Sequence, residues 1–119
     1  MDSDSAMTQR SWGHRFFDEQ IALLEQGRTD ELIERHYQPD AVLVSFQGVV
    51  RGHQALKRHF RSYMQKLGKL TVHSLDQFAE TEDTLFFEAS VSTSFGEGHV
   101  YDAFVLKNGK VTHHFTGIK

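Results

Sequence analysis

The chain has 119 residues, 39% of them apolar and 24% charged, with a net charge of -3 and no cysteine. That length suits one domain burying roughly two-thirds of its unfolded surface, and the charge gives no overall field to attract nucleic acid or an anionic membrane. Absent thiols exclude disulfides, zinc-thiolate centres and thiol nucleophiles; no apolar run approaches the ~18 residues of a membrane span, and the polar start MDSDSAMTQR is unlike a signal peptide. The expectation is a cytoplasmic protein with no nucleic-acid or membrane partner.

Residues 1–10 read as a flexible polar tail and residues 11–119 as a single domain. Ser11 is placed to cap a helix running to about residue 26, with Trp12, Phe16, Phe17, Ile21 and Leu24 recurring at helical spacing. Gly27 ends it. Thr29 is the expected cap of a second, short helix with Leu32, Ile33 and Tyr37 on its apolar face, which Pro39 stops. Residues 41–46 and 49–51 form a hairpin around Gln47-Gly48, and a long amphipathic helix follows over residues 53–67, carrying Leu56, Phe60, Tyr63, Met64 and Leu67 on one stripe. Its other face bears Lys57, Arg58, Arg61 and Lys66. Without interleaved exposed aromatics that stripe reads as a solvated surface.

Four strands are expected over residues 70–80, 84–95, 98–107 and 110–116. Asn108-Gly109 is a strong two-residue turn signal, setting Leu106 opposite Val111, Phe104 opposite His113 and Asp102 opposite Phe115. Gly96-Glu97, taken as a second such turn, puts Phe87 opposite Leu106 and Val91 opposite Asp102. Both registers gather Leu85, Phe87, Ala89, Val91, Val100, Phe104, Leu106, Val111 and Phe115 on one face, together with two ionisable residues, Asp102 and His113. A buried carboxylate must be protonated, paired or open to a wet cavity. The pair therefore either satisfies itself in the core or faces a ligand. Val72 and Leu75 are out of phase and point to a bulge in the first long strand, which leaves Asp76 as a further candidate for the site. Glu88, Ser90 and Ser92 fall on the opposite face. His113 and His114, adjacent on a strand, point to opposite faces and make a poor chelating pair, so neither metal nor cofactor is expected.

The order of elements, with YQPDAVLV at residues 37–44, VRGHQAL at 50–56 and VYDAFVLKNGKVTHHF at 100–115, resembles the nuclear transport factor 2-like superfamily, in its SnoaL-like branch. The resemblance implies an α+β cone, cystatin-like, in which a curved antiparallel sheet wraps the long helix beside two N-terminal helices. It also implies an apolar cavity and a homodimer formed through the outer face of the sheet. Related ketosteroid isomerases use a base aspartate on the first hairpin strand and a protonated aspartate in the oxyanion hole, the handling of carboxyl pKa for which that enzyme is known. Here the oxyanion position falls on Asp102, while Ser45 occupies the base position and cannot serve as that base. The expected function is binding of a small apolar or aromatic molecule within walls of Trp12, Phe16, Tyr63, Phe87, Phe104 and Phe115, with Asp102 as acid and His113 as base for isomerase, cyclase or lyase chemistry. The alternative is a non-catalytic binding or dimerisation module using Glu88, Ser90, Ser92, Tyr101 and Val105.

Overall fold

The computed structural model describes residues 11–119; the tail expected over residues 1–10 lies outside them. Ser11 accepts a hydrogen bond from the His14 amide at the head of α1 (Trp12–Glu25), whose Phe16, Phe17, Gln20 and Leu23 face inward. The helix closes with paired bonds from Gly27 N to Leu24 O and Arg28 N to Leu23 O, the two-bond stop that a glycine after the helix permits. Helix α2 (Thr29–His36) begins without a side-chain cap: Arg28 holds the cap position and Thr29, buried, is already helical.

The second helix ends sooner than its proline predicts. Tyr37 is extended and opens β1 (Tyr37–Ser45), so Pro39 lies within that strand, where the register with β6 is broken between Tyr37 and Val42. A bulge tolerates a residue lacking an N–H. Strand β2 (Gly48–Arg51) pairs Ser45 with Gly48, which makes Phe46-Gln47 the turn rather than Gln47-Gly48. Helix α3 (His53–Leu67) then buries Leu56 and Phe60.

Strands β3 (Thr71–Glu80), β4 (Thr84–Thr93), β5 (Gly96–Lys107) and β6 (Lys110–Ile118) follow. The six strands form one curved sheet in the order β2-β1-β6-β5-β4-β3; β1 and β6 run parallel and every other pair antiparallel, so the sheet is mixed rather than wholly antiparallel. Its inner face meets the helices in a core centred on Phe16, Leu32, Tyr37, Leu56, Leu85 and Phe104. The out-of-phase apolar residues of β3 reflect two register breaks, between Val72 and Ser74 and between Leu75 and Gln77.

Two register differences matter for the site. Strands β4 and β5 turn at Ser94-Phe95, pairing Thr93 with Gly96, so Phe87 opposes Asp102 where Leu106 was expected, and Val91 opposes Gly98 where Asp102 was expected. The pairing shift is even and leaves every side chain on its expected face. Between β5 and β6 the Asn108-Gly109 turn forms with both residues at positive φ, 53° and 79°. Leu106 opposes Val111 as expected, but Val105 opposes His113, because Thr112 is an extra residue in β6. Its hydroxyl donates to the Val105 carbonyl, 3.1 Å away, and fills the bulge. That odd shift reverses the faces of all that follows: His114 points inward opposite Phe104, while His113 and Phe115 point outward.

Candidate functional site

On the inner face of the sheet, three polar side chains from three strands form a chain of hydrogen bonds. Tyr37, fully buried at the start of β1, places its hydroxyl 2.8 Å from His114 Nδ1. His114, 4% exposed, has its other ring nitrogen, Nε2, 2.7 Å from Asp102 Oδ1. Asp102 lies at the half-buried end of the chain, its side chain 16% exposed.

Apolar surroundings hold these groups in place. The His114 ring stacks on Phe104 with centroids 4.0 Å apart, and Phe60 of α3 covers it at 6.4 Å. Tyr37 packs edge-on to the same Phe60 at 6.2 Å. Burial holds the Tyr37 phenol far above its ordinary pKa, and the Asp102 charge adds to the effect. Gln20 of α1, 5% exposed, adjoins the Tyr37 hydroxyl closely enough to offset that rise in part, yet its Nε2 completes a hydrogen bond with no group. On α3, Tyr63 is raised by burial and then by the Asp102 charge; its neighbour His59, stacked on it at 6.2 Å, is lowered by burial, then by His114 and Lys66.

The anticipated Asp102–His113 pair does not form; Asp102 meets His114 instead. His113 is exposed on the outer face, where its ring stacks at 6.2 Å on Phe115, itself 41% exposed and so no part of an inner wall. Phe16, Phe87 and Phe104 pack on one another in the core, with centroids 5.2 Å apart for Phe16–Phe104 and 6.0 Å for Phe87–Phe104. Trp12 stands at the margin, donating from Nε1 to the Thr81 carbonyl at 2.9 Å. Asp76 is on the outer face, accepting hydrogen bonds from Ser74 and Ser90, both 2.6 Å, which lower its pKa.

Sequence reasoning gave Tyr37 only a place on an apolar helix face and His114 only the face opposite His113, and it passed over Gln20. The signal available was Gln20 itself: it sits four residues after Phe16 and three before Leu23, a polar residue in an apolar helical stripe. Two surface grooves, of about 340 Å³ between the α1–α2 junction and the end of α3 and of about 310 Å³ between α1 and β3, include neither Asp102 nor His114 in their walls. In the basic stripe of α3, Lys57 lies 3.6 Å from Glu34 and Arg61 3.0 Å from Asp30. Among the described residues no group of three His, Asp or Glu side chains is placed to hold a metal, and no helix is long and apolar enough to cross a membrane.

Comparison with solved structures shows the fold. A nuclear transport factor 2-like protein from Anabaena variabilis superposes with a TM-score of 0.77 at 19% identity, over 89% of this chain and 85% of that one. A polyketide cyclase candidate from Sinorhizobium meliloti gives 0.74 at 18% identity, over 87% and 94% of the two chains. TerC, crystallised with polyporic acid, gives 0.73 at 16% identity over 92% of each. No match was found among curated proteins. The sequence profile of the SnoaL-like domain covers residues 15–114, and with a mixed, curved sheet folded over three helices the chain belongs to the SnoaL-like family of the nuclear transport factor 2-like superfamily.

Proposed function

We propose that the protein binds a small apolar or aromatic molecule inside the cone, next to Asp102, and exchanges a proton with it there. The observation that carries this function is a half-buried carboxyl group on an apolar sheet face, held from behind by a buried histidine 2.7 Å away. A carboxylate needed only for packing gains nothing from partial exposure in an apolar wall, whereas a ligand-binding pocket needs a few fixed polar groups in such a wall. Of the structural neighbours, one is described as a polyketide cyclase candidate and another was crystallised with polyporic acid, which agrees with small-molecule binding. Tyr63, Phe87 and Phe104 would supply the apolar surface. Isomerase, cyclase or lyase chemistry without a cofactor fits the residues present, and a cytoplasmic location fits a sequence without cysteine.

The test is thermal unfolding with a panel of apolar carbonyl and phenol compounds, on wild type and Asp102→Asn. A ligand at a hundred times its Kd stabilises by about 2.7 kcal/mol, several degrees for a domain of this size. Shifts in wild type that shrink in the mutant support the site; equal shifts in both place the ligand elsewhere.

A second copy of the chain fits the other side of the sheet. Val49, Val44, Phe115, Ala103, Phe86 and Ala79 are cross-strand neighbours that form one apolar row over all six strands, with Phe86 48% and Val49 64% exposed. A broad sheet face of this kind packs against another sheet, and two-fold self-association covers it. The homodimer predicts that Phe86→Glu or Phe115→Glu converts a dimer to a monomer in sedimentation. A monomeric wild type would remove it.

A further inference from the structure

The three-residue chain behind Asp102 has a direction. The Tyr37 hydroxyl is wholly buried, so its proton must go to an acceptor, and among the described residues its one hydrogen-bond partner is His114 Nδ1. Gln20, the other polar neighbour, lowers the phenol pKa as a donor to its oxygen does, and so does not compete for the hydroxyl proton. Burial keeps the Tyr37 phenol protonated well into the alkaline range, so the hydroxyl remains a donor at neutral pH. Nδ1 is therefore the unprotonated nitrogen, and the ring proton sits on Nε2, 2.7 Å from Asp102 Oδ1. An Nε2–H can only donate, so Oδ1 accepts, and a hydrogen bond donated to a carboxyl oxygen favours the carboxylate over the acid. Both ring nitrogens of His114 are occupied and its ring is covered by Phe104 and Phe60, which leaves it no path to a ligand. The second carboxylate oxygen, Oδ2, has no partner among the described residues, and no Lys or Arg forms an ion pair with Asp102.

Resting on the pocket at Asp102 proposed above, we infer that Asp102 is a hydrogen-bond acceptor, with His114 and Tyr37 as positioning residues behind it, and that the site takes neutral ligands bearing an acidic O–H, a phenol or enol, and rejects anions. This is the reverse of the oxyanion-hole role that the family resemblance implies for Asp102. There a protonated carboxyl donates to a ligand oxygen; here the carboxylate receives a proton or a hydrogen bond from it. Proton exchange balances simply: the ligand O–H bond breaks as an Asp102 Oδ2–H bond forms, leaving a neutral carboxylic acid beside an oxyanion, and return of the proton to oxygen or to a conjugated carbon regenerates the carboxylate. Tyr63 on α3, whose phenol is kept protonated by burial and by the Asp102 charge, is a donor within electrostatic reach of Asp102 that could steady that oxyanion.

Three ligands on one apolar body separate the possibilities: 4-hydroxybiphenyl, 4-methoxybiphenyl and biphenyl-4-carboxylate, with Kd measured by calorimetry on wild type and Asp102→Asn. The phenol is expected to bind wild type at least about tenfold more tightly than the ether, the lower end for a hydrogen bond to a charged group, and the carboxylate most weakly. In Asp102→Asn the phenol loses that advantage and the carboxylate gains. A carboxylate that binds wild type as well as the phenol does, or an ether that matches it, overturns the acceptor role while leaving the pocket in place. Absence of binding by all three overturns the pocket and this inference together. Nitrogen-15 NMR of histidine-labelled wild type, which needs no substitution, reads His114 directly: a neutral ring with its proton on Nε2 at pH 7 is expected, and Tyr37→Phe should shift the tautomer balance toward Nδ1–H. An imidazolium, or a proton on Nδ1 in wild type, overturns the inference.

Discussion

Asp102 and His114 are not opposite each other in the sheet. Asp102 faces Thr116 and His114 faces Phe104, and the 2.7 Å contact runs diagonally between neighbouring strands on their common inner face. Diagonal neighbours start roughly 7–8 Å apart at the backbone, so two extended side chains reaching toward each other close the gap. That contact joins the buried end of the polar chain to its half-exposed end.

Removing the Tyr37 hydroxyl should be expensive for so small a change. Tyr37→Phe keeps the ring against Phe60 but strands His114 Nδ1 in the core, and an unsatisfied buried group costs about 1–3 kcal/mol. Urea unfolding should show that loss, while Tyr63→Phe, at the half-buried rim, should change stability by less than about 0.5 kcal/mol.

Phe104 anchors both the aromatic core and the site. Its ring is 2% exposed and meets Phe16, Phe87 and His114, so Phe104→Ala should cost about 3–5 kcal/mol in chemical denaturation. Phe46, 93% exposed in the β1–β2 turn, is the control: Phe46→Ala should stay within about 0.5 kcal/mol of wild type.

On the outer face the Tyr101 ring lies over Gly117, its partner across β5 and β6. A Cβ at Gly117 would stand 2.2 Å from the Tyr101 hydroxyl oxygen, so Gly117→Ala must push the ring aside, with a loss of about 1–3 kcal/mol. In a Tyr101→Ser background the same substitution should cost almost nothing, and a double-mutant cycle measures the difference.

Stability should fall on both sides of neutrality. Burial depresses the pKa of His36 and His59, so the unfolded chain binds protons more readily than the folded one once the pH drops below about 6.5, and acid removes stability there. Tyr37 and Tyr63 are raised, so above about pH 10 the unfolded chain loses phenolic protons that the folded chain keeps, and alkali removes stability as well. Urea midpoints across the pH range should form a plateau between these limits. His36→Phe should soften the acid limb, and an unchanged acid limb in that variant would discharge His36 from the role.

Periodicity with cap and turn signals located the helices and strands among the described residues, though not the start of β1 at Tyr37, because apolar spacing of 3.6 and of 2 comes directly from the geometry of the two backbones. Helix α3 falls on residues 53–67 as its stripe predicts, and the Asn108-Gly109 turn forms at its two-residue signal because Asn and Gly accept positive φ. Composition likewise determined that the inner faces of β4 and β5 are apolar apart from Asp102. What sequence could not carry was register. The β4–β5 turn moved without harm because an even shift preserves faces, whereas one extra residue, Thr112, exchanged His113 for His114 and turned Phe115 out to the surface. A bulge leaves little trace in local spacing, since it is fixed by how β6 lies between β1 and β5 and by a hydroxyl bonding to the neighbouring strand. The chain from Tyr37 through His114 to Asp102 links residues 77 and 12 positions apart, and only the folded sheet brings their polar atoms within hydrogen-bonding distance.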